Sequence, residues 1–245
     1  MDLDPQAPRI VPEPIAPDPA DQESLDVWGF RDTRFVARED GVVVLTGSRY
    51  ALSGQELPEL LAWTQRQIHP DVRPDDLNRP HYPPEIPAPR RHAAFLEEIR
   101  KTFADEQLSE DPELRLRHGH GHTQEEMYAI KYGRLERVPD LVAYPREDAD
   151  VERLVEAALR HDVVLIPYGG GTNVTDALRC RPDEQRTIVS VDMRRMNRIL
   201  WIDPVNRMAC IEAGAVGREI AAGLPQHRFT QGHQPATQKF SKPRG

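Results

Sequence analysis

The chain has 245 residues and a formal charge of −8, from 32 lysines and arginines against 40 aspartates and glutamates. This acidic balance argues against a general nucleic-acid binder, because neutralising phosphates requires a basic surface. No apolar run approaches the roughly 18 residues of a membrane-spanning helix, which argues against an integral membrane protein. Cys180 and Cys210 cannot build a disulfide framework and are not spaced like zinc ligands, so an intracellular, reducing compartment is expected.

Changes in composition divide the chain into segments. Residues 1–24 hold six prolines and almost no apolar residues that could pack, which is typical of a disordered leader. An N-terminal module is expected over 25–136, with a proline-rich linker at 70–89 that neither a helix nor a central strand would accept. A second pattern of elements runs over 137–233, and residues 234–245 form a polar, basic tail.

The N-terminal module is predicted to contain a hairpin and two helices. The hairpin turns near Gly41, between apolar runs that start at Phe35 and Val42. Apolar residues at helical spacing predict helices over 57–68 and 95–103.

The second half of the chain alternates strand and helix patterns. In chain order we expect a strand at 141–144, a helix at 148–161, strands at 163–166 and 187–192, a hairpin of 199–202 and 208–213, and a helix at 216–224. This order is that of a layered fold with a mixed sheet, and we assign the chain to the α+β class.

Three consecutive glycines at 169–171 follow the strand predicted at 163–166. Glycines permit positive φ and close backbone approach, so successive N–H groups can converge on phosphate oxygens. The run matches neither the Walker loop nor the Rossmann fingerprint, and a flexible connection is the alternative interpretation. Because Pro167 precedes the run and the polar Thr172 and Asn173 follow it, we favour a pyrophosphate cradle.

Three histidines, His118, His120 and His122, alternate along the chain and would lie on one side of a strand. No cysteine or further histidine lies close in sequence, and zinc sites usually draw on several segments, so we assign no metal. The capping-box pattern from Thr123 to Glu126 favours a loop that leads into a helix.

Other polar residues have two interpretations each. The neighbouring arginines of Cys180 would suit an activated thiolate, but a spectator surface thiol is preferred. Arg194, Arg195 and Arg198 could contact a phosphate, but a solvated face is the default for such a run, and pairing with Asp192 is equally available. Asp140 is interpreted as a turn residue.

Several segments resemble the FAD-binding flavoproteins of the vanillyl-alcohol-oxidase type, and among these the alkyldihydroxyacetonephosphate synthase (alkylglycerone-phosphate synthase) family. The similar segments are 28–30, 45–54, 117–122, 137–140, 166–174, 196–203 and 211–214. The resemblance implies a helical and hairpin module followed, over 137–233, by the first half of an FAD-binding domain.

The resemblance also implies which residues contact the cofactor, FAD. They are Pro167, Tyr168, Gly169, Gly170, Gly171, Thr172, Asn173, Val174, Gly232 and His233. The catalytic residues stay unknown, because the region that holds the family's acid–base tyrosine and histidine is expected to be absent. The segment with the three histidines is expected near the active site of the complete enzyme.

An enzyme of ether-lipid synthesis is the function that the resemblance implies. Such an enzyme exchanges the acyl group of acyl-dihydroxyacetone phosphate for a long-chain fatty alcohol, on FAD and without net redox change. The family is peroxisomal, although this sequence shows no targeting signal. A homodimer and peripheral membrane contact are compatible with this function.

The resemblance breaks off after His233, so residues 234–245 are interpreted as a divergent tail and the chain as an incomplete copy. One alternative is an inactive flavin-domain fragment that acts only in binding; another is an FAD oxidase or dehydrogenase of 2-hydroxy acids. For the isolated chain we expect no turnover, because half a sheet leaves strand edges uncovered and a cofactor that bridges two halves loses contacts.

Overall fold

Helices and strands alternate through the computed structural model, which describes residues 9–12, 24, 30–48, 50–68 and 81–230. Most of the predicted leader, about half of the linker at 70–89 and all of the tail at 234–245 lie outside these residues. No helix in the described ranges is long and apolar enough to cross a membrane.

The first sheet is antiparallel and precedes a short helix. Its strands are β1 (Phe35–Ala37), β2 (Val43–Leu45) and β3 (Glu56–Leu57), and the helix is α1 (Leu60–Ile68). Gly41 occupies the β1–β2 turn with φ +81°, which confirms the predicted hairpin. Leu57 pairs with Val43 in the sheet, so the helix predicted from Leu57 begins three residues later.

Three helices and a strand that follow were only partly predicted. This stretch contains α2 (Ala93–Ile99), β4 (Leu108–Ser109), α3 (Pro112–His118) and α4 (Gln124–Tyr132). We did not predict α3, although the sequence carries its start signal. Asp111 accepts a hydrogen bond from Leu114 N at 2.9 Å, and Pro112 occupies the first turn.

The central sheet contains three parallel strands. Its elements are β4, β5 (Leu141–Ala143), β6 (Val164–Tyr168) and β7 (Ile188–Asp192), in the order β4-β5-β7-β6, and α5 (Asp148–His161) connects β5 to β6. Only β4 is antiparallel to its neighbour. Strand β6 extends past the predicted end at Ile166 to include Pro167 and Tyr168. A proline is tolerated there because β6 lies at the edge of the described sheet.

The main core lies between this sheet and the helices α2 and α5. Its buried members include Phe95, Leu96, Ile99, Leu141, Ala143, Leu154, Ala157, Val189 and Val191. A second cluster joins α3 to α4 through Leu116, Ile130 and Val138. The second cluster therefore packs α3 against α4 and against Val138, which precedes β5.

Asp140 lies at a bend, in agreement with its interpretation as a turn residue, and it is buried, with 2% of its surface exposed. Its two oxygens accept hydrogen bonds from Arg137 at 2.7 and 2.6 Å. They also accept bonds from the backbone N–H groups of Arg90, at 2.7 Å, and Ile188, at 2.8 Å. The carboxylate therefore ties the segment before α2 to β7, and the guanidinium compensates its charge.

The last part of the described chain is a hairpin with a helix. It comprises β8 (Ile199–Asp203), β9 (Met208–Ile211) and α6 (Gly217–Gly223), as predicted within two or three residues. Ile10, inside the leader predicted to be disordered, pairs with Ile202 through hydrogen bonds of 2.9 and 2.8 Å. This short piece of the leader therefore pairs with β8. The domain boundaries predicted from the sequence stay predictions.

Candidate cofactor-binding site

The glycine run begins where two parallel strands end. Tyr168 is the last residue of β6 and pairs in register with Asp192, the last residue of β7. In open sheets with parallel strands, ligands bind beyond the carboxyl ends of the strands. The loop at 169–173 therefore lies at the edge of the sheet where a ligand is expected.

Gly171 has a conformation and surroundings that only glycine tolerates. Its φ is +68°, and a Cβ atom there would overlap Tyr168 Oη and lie 2.8 Å from Arg117 Nη1. The backbone thus folds back over the Tyr168 ring and brings the loop against a guanidinium. Glycine backbone beside a buried positive charge fits an anionic diphosphate.

Arg117 and His118, the last two residues of α3, hold the Tyr168 ring. The Arg117 Cζ atom lies 5.7 Å from the centroid of that ring, and the His118 ring centroid lies 4.1 Å from it. Both side chains are buried, with 5% and 0% of the residue exposed. We did not predict either residue as a cofactor contact, although both belong to a segment that carries the resemblance.

His118 connects α3 to the end of β7. Its Nε2 atom lies 2.8 Å from Asp192 Oδ2, and its Nδ1 atom lies 2.6 Å from Leu114 O. Asp192 Oδ2 also accepts a hydrogen bond from Arg194 Nε at 2.7 Å, which is the pairing we considered for Arg194.

The loop that follows His118 packs directly against the glycine loop. His122 N donates to Asn173 O at 2.7 Å. A Cβ atom on Gly121 would lie 2.5 Å from the same oxygen, so the two loops touch without an intervening side chain. The segment with the three histidines, expected from the resemblance to lie near the active site, lies beside the predicted cofactor loop.

The three alternating histidines do not form a metal site. His118 ends a helix and contacts Asp192, whereas His120 Nδ1 contacts Gly121 O at 2.7 Å. Among the described residues, no group of three histidine, cysteine or acidic side chains could hold a metal ion. The strand interpretation is wrong, and the predicted loop into a helix is confirmed, with Thr123 as the N-cap of α4.

Burial determines the protonation chemistry of two residues near the loop. Burial lowers the pKa of His120 to about 4, so its imidazole is neutral at physiological pH. Burial raises the pKa of the Cys180 thiol to about 12, with 4% of the residue exposed. Cys180 is therefore neither the activated thiolate nor the surface thiol that we considered.

The predicted contact residues fall at different depths. Tyr168 and Gly171 are buried, the residues at 169, 170, 172 and 173 are half-buried, and Val174 is 66% exposed. Gly232 and His233 lie outside the described residues. Arg198 forms an ion pair with Glu212 at 2.6 Å, which supports the paired interpretation, although the partner is not Asp192.

Comparison with known proteins gives consistent matches. The family model of an FAD binding domain matches residues 139–242. An alkyldihydroxyacetonephosphate synthase of Caenorhabditis elegans is 34% identical over 217 residues, which cover 87% of this chain and 36% of that protein. The synthase of Dictyostelium discoideum is 31% identical, and the match covers 90% of this chain and 38% of that protein.

A solved structure of an alkyldihydroxyacetonephosphate synthase matches with a TM-score of 0.81 and 29% identity, covering 93% of this chain and 42% of that chain. The chain thus spans 36 to 38% of the length of the two curated relatives. These matches confirm the α+β class and FAD as the cofactor. The chain is therefore a homologue of the alkyldihydroxyacetonephosphate synthases and contains an FAD binding domain.

Proposed function

We propose that this chain holds the diphosphate of FAD in an alkyldihydroxyacetonephosphate synthase. One observation carries the proposal: the loop at 169–173 leaves the carboxyl end of β6 and folds back at Gly171 against Tyr168 and Arg117. Backbone N–H groups of the loop would contact phosphate oxygens, and Arg117 would supply the opposite charge. Residues 167–174, with Gly232 and His233, are the proposed contacts.

Bound FAD supplies the reactive flavin ring, and the described residues of this chain orient the cofactor. The base of the loop would exclude water from a bound diphosphate, because Tyr168 and Gly171 are themselves buried. Electrostatic attraction in such a water-poor environment is stronger than at the surface. The site is thus suited to hold an anion in one orientation.

The proposed reaction is the exchange of the acyl group of acyl-dihydroxyacetone phosphate for a long-chain fatty alcohol. The names of the relatives support the product, an alkyl-dihydroxyacetone phosphate, which is an intermediate of ether-lipid synthesis. Peroxisomal location and a homodimer belong to the same proposal. No described residue is assigned to the acid–base steps.

The visible absorption spectrum of the purified chain, saturated with FAD and freed of excess cofactor, tests the proposal. We expect a bound flavin band, whereas a colourless protein would contradict the assignment. We expect no labelled product when acyl-dihydroxyacetone phosphate and labelled fatty alcohol are added to the chain alone, since it spans 36 to 38% of its curated relatives.

Addition of D-lactate without oxygen separates the second candidate function. A curated D-lactate dehydrogenase of Arabidopsis thaliana is 24% identical to this chain over 132 residues. If the flavin band bleaches with D-lactate or glycolate, the 2-hydroxy-acid oxidase or dehydrogenase is favoured over the synthase. We expect the band to persist.

A further inference from the structure

We infer that His118 is a positioning residue for the FAD loop and acts through Asp192 and Tyr168. The inference rests on the proposed function and deepens it, because it names the residues that set the starting geometry of the loop. Neither His118 nor Asp192 needs to touch the diphosphate for this role.

The His118 ring is fixed between two oxygens that accept hydrogen bonds. Leu114 O lies 2.6 Å from Nδ1, and Asp192 Oδ2 lies 2.8 Å from Nε2. Both ring nitrogens are thus held by oxygen atoms, one on α3 and one at the end of β7. His118 and Asp192 are each 0% exposed, so rotating the ring would leave polar groups without partners away from water.

The fixed ring supports Tyr168 in two ways. It packs against the Tyr168 ring at a centroid distance of 4.1 Å, and it bonds Asp192, the register partner of Tyr168 on β7. Tyr168 directly precedes the glycine run, and Gly171 folds back onto Tyr168 Oη. A shift of the Tyr168 ring would therefore displace both the beginning and the bend of the loop.

Two substitutions at His118 separate the bond to Asp192 from the loss of the ring. In His118→Gln the side-chain amide reaches the position of Nε2 and keeps the contact with Asp192. In His118→Asn the shorter amide reaches the position of Nδ1 and keeps only the contact with Leu114 O. Both variants lose the ring stacking on Tyr168 equally.

The dissociation constant of FAD, measured by titrating the flavin fluorescence against the full chain, is the primary readout. We expect His118→Asn to bind FAD at least tenfold more weakly than His118→Gln, while the two variants have similar melting temperatures. His161→Gln is the matched control. His161 Nε2 also lies 2.8 Å from a carboxylate, that of Glu98, but at the far end of α5, so FAD affinity should not change.

Equal FAD affinity of the two His118 variants would overturn the inference. If His118 only stabilised the fold, two variants of similar melting temperature would bind FAD equally. If one variant fails to fold, Tyr168→Leu replaces it: removal of the supported ring should weaken FAD binding at least tenfold, and unchanged affinity would overturn the inference. A wild-type chain that does not bind FAD would contradict the proposed function as well, whereas wild-type binding with equal variants would contradict only this inference.

Discussion

At the scale of single residues, three histidines spaced two apart have three different environments. His118 is fully buried and contacts Asp192, His120 is buried against Gly121 O, and His122 is half-buried with its backbone N–H on Asn173. Their spacing alone could not predict these environments, since α3 ends at His118 and the chain then turns.

The low pKa of His120 predicts that the folded protein loses stability in mild acid. Its pKa is about 4 in the folded protein against an ordinary 6.5, so the unfolded chain takes up the proton first as the pH falls. The contribution of neutral His120 to the free energy of unfolding is complete above pH 6.5 and is lost as the pH approaches 4. The free energy of unfolding then falls by up to about 1.4 kcal/mol per pH unit. Urea unfolding between pH 7 and 4.5 should show a smaller decrease for His120→Asn than for the wild type, and parallel curves would refute this assignment.

The burial of Cys180 predicts that a thiol reagent modifies Cys210 selectively. Burial keeps the Cys180 thiol protonated, with a pKa of about 12, whereas Cys210 is partly exposed. Because the thiolate is the nucleophile, iodoacetamide at pH 8 should modify Cys210 in the folded protein and spare Cys180. Mass spectrometry of the peptides measures which cysteine is modified. Urea-unfolded protein is the control, in which both cysteines react. Rapid labelling of Cys180 in the folded protein would contradict its burial.

At the scale of elements, the start of α4 is linked to the loop that contacts the cofactor loop. Glu126 accepts hydrogen bonds from Thr123 Oγ1 at 2.8 Å and from Gly121 N at 2.9 Å. The capping box was recognisable in the sequence, because its residue types and spacing are local. The contact of the preceding loop with Asn173 was not recognisable, because it depends on tertiary packing between distant segments.

Replacement of Thr123 tests this link. Thr123→Ala should lower the free energy of unfolding by about 1 kcal/mol, since it removes the N-cap acceptor that Glu126 N uses at 3.1 Å. Thr123→Ser keeps the hydroxyl and should change the unfolding midpoint in urea by less than half as much. Equal loss in both variants would show that the methyl group, and not the cap, stabilises this turn.

Local signals also explain which other elements could be predicted. The long amphipathic α5 and the apolar β7 were predicted within one residue of each terminus. The two-residue strand β4 and the short α3 were missed, because neither contains enough apolar residues to establish a period. The burial of Asp140 was missed for a different reason: its partners Arg90 and Ile188 lie about 50 residues away on either side.

At the scale of the whole molecule, the proposed site lies at the edge of the central sheet where β6 and β7 end. The glycine run was recognisable from sequence as a candidate cofactor loop, since glycine composition after a strand is a local pattern. The contacts of Arg117 and His118 with Tyr168 and Gly171 were not recognisable from sequence. Helix α3 reaches this edge only because Leu116 packs in one cluster with α4. The similarity to alkyldihydroxyacetonephosphate synthases covers both parts.

Calorimetric titration of the full chain with FAD tests the claim that the bend at Gly171 holds the diphosphate of FAD. Gly41→Ala is the matched control, because Gly41 also has a positive φ, of +81°, but no atoms within 4 Å of an added Cβ. We predict that the wild type and Gly41→Ala bind FAD with the same affinity and that Gly171→Ala binds at least tenfold more weakly. Equal affinities of Gly171→Ala and the wild type would contradict the claim.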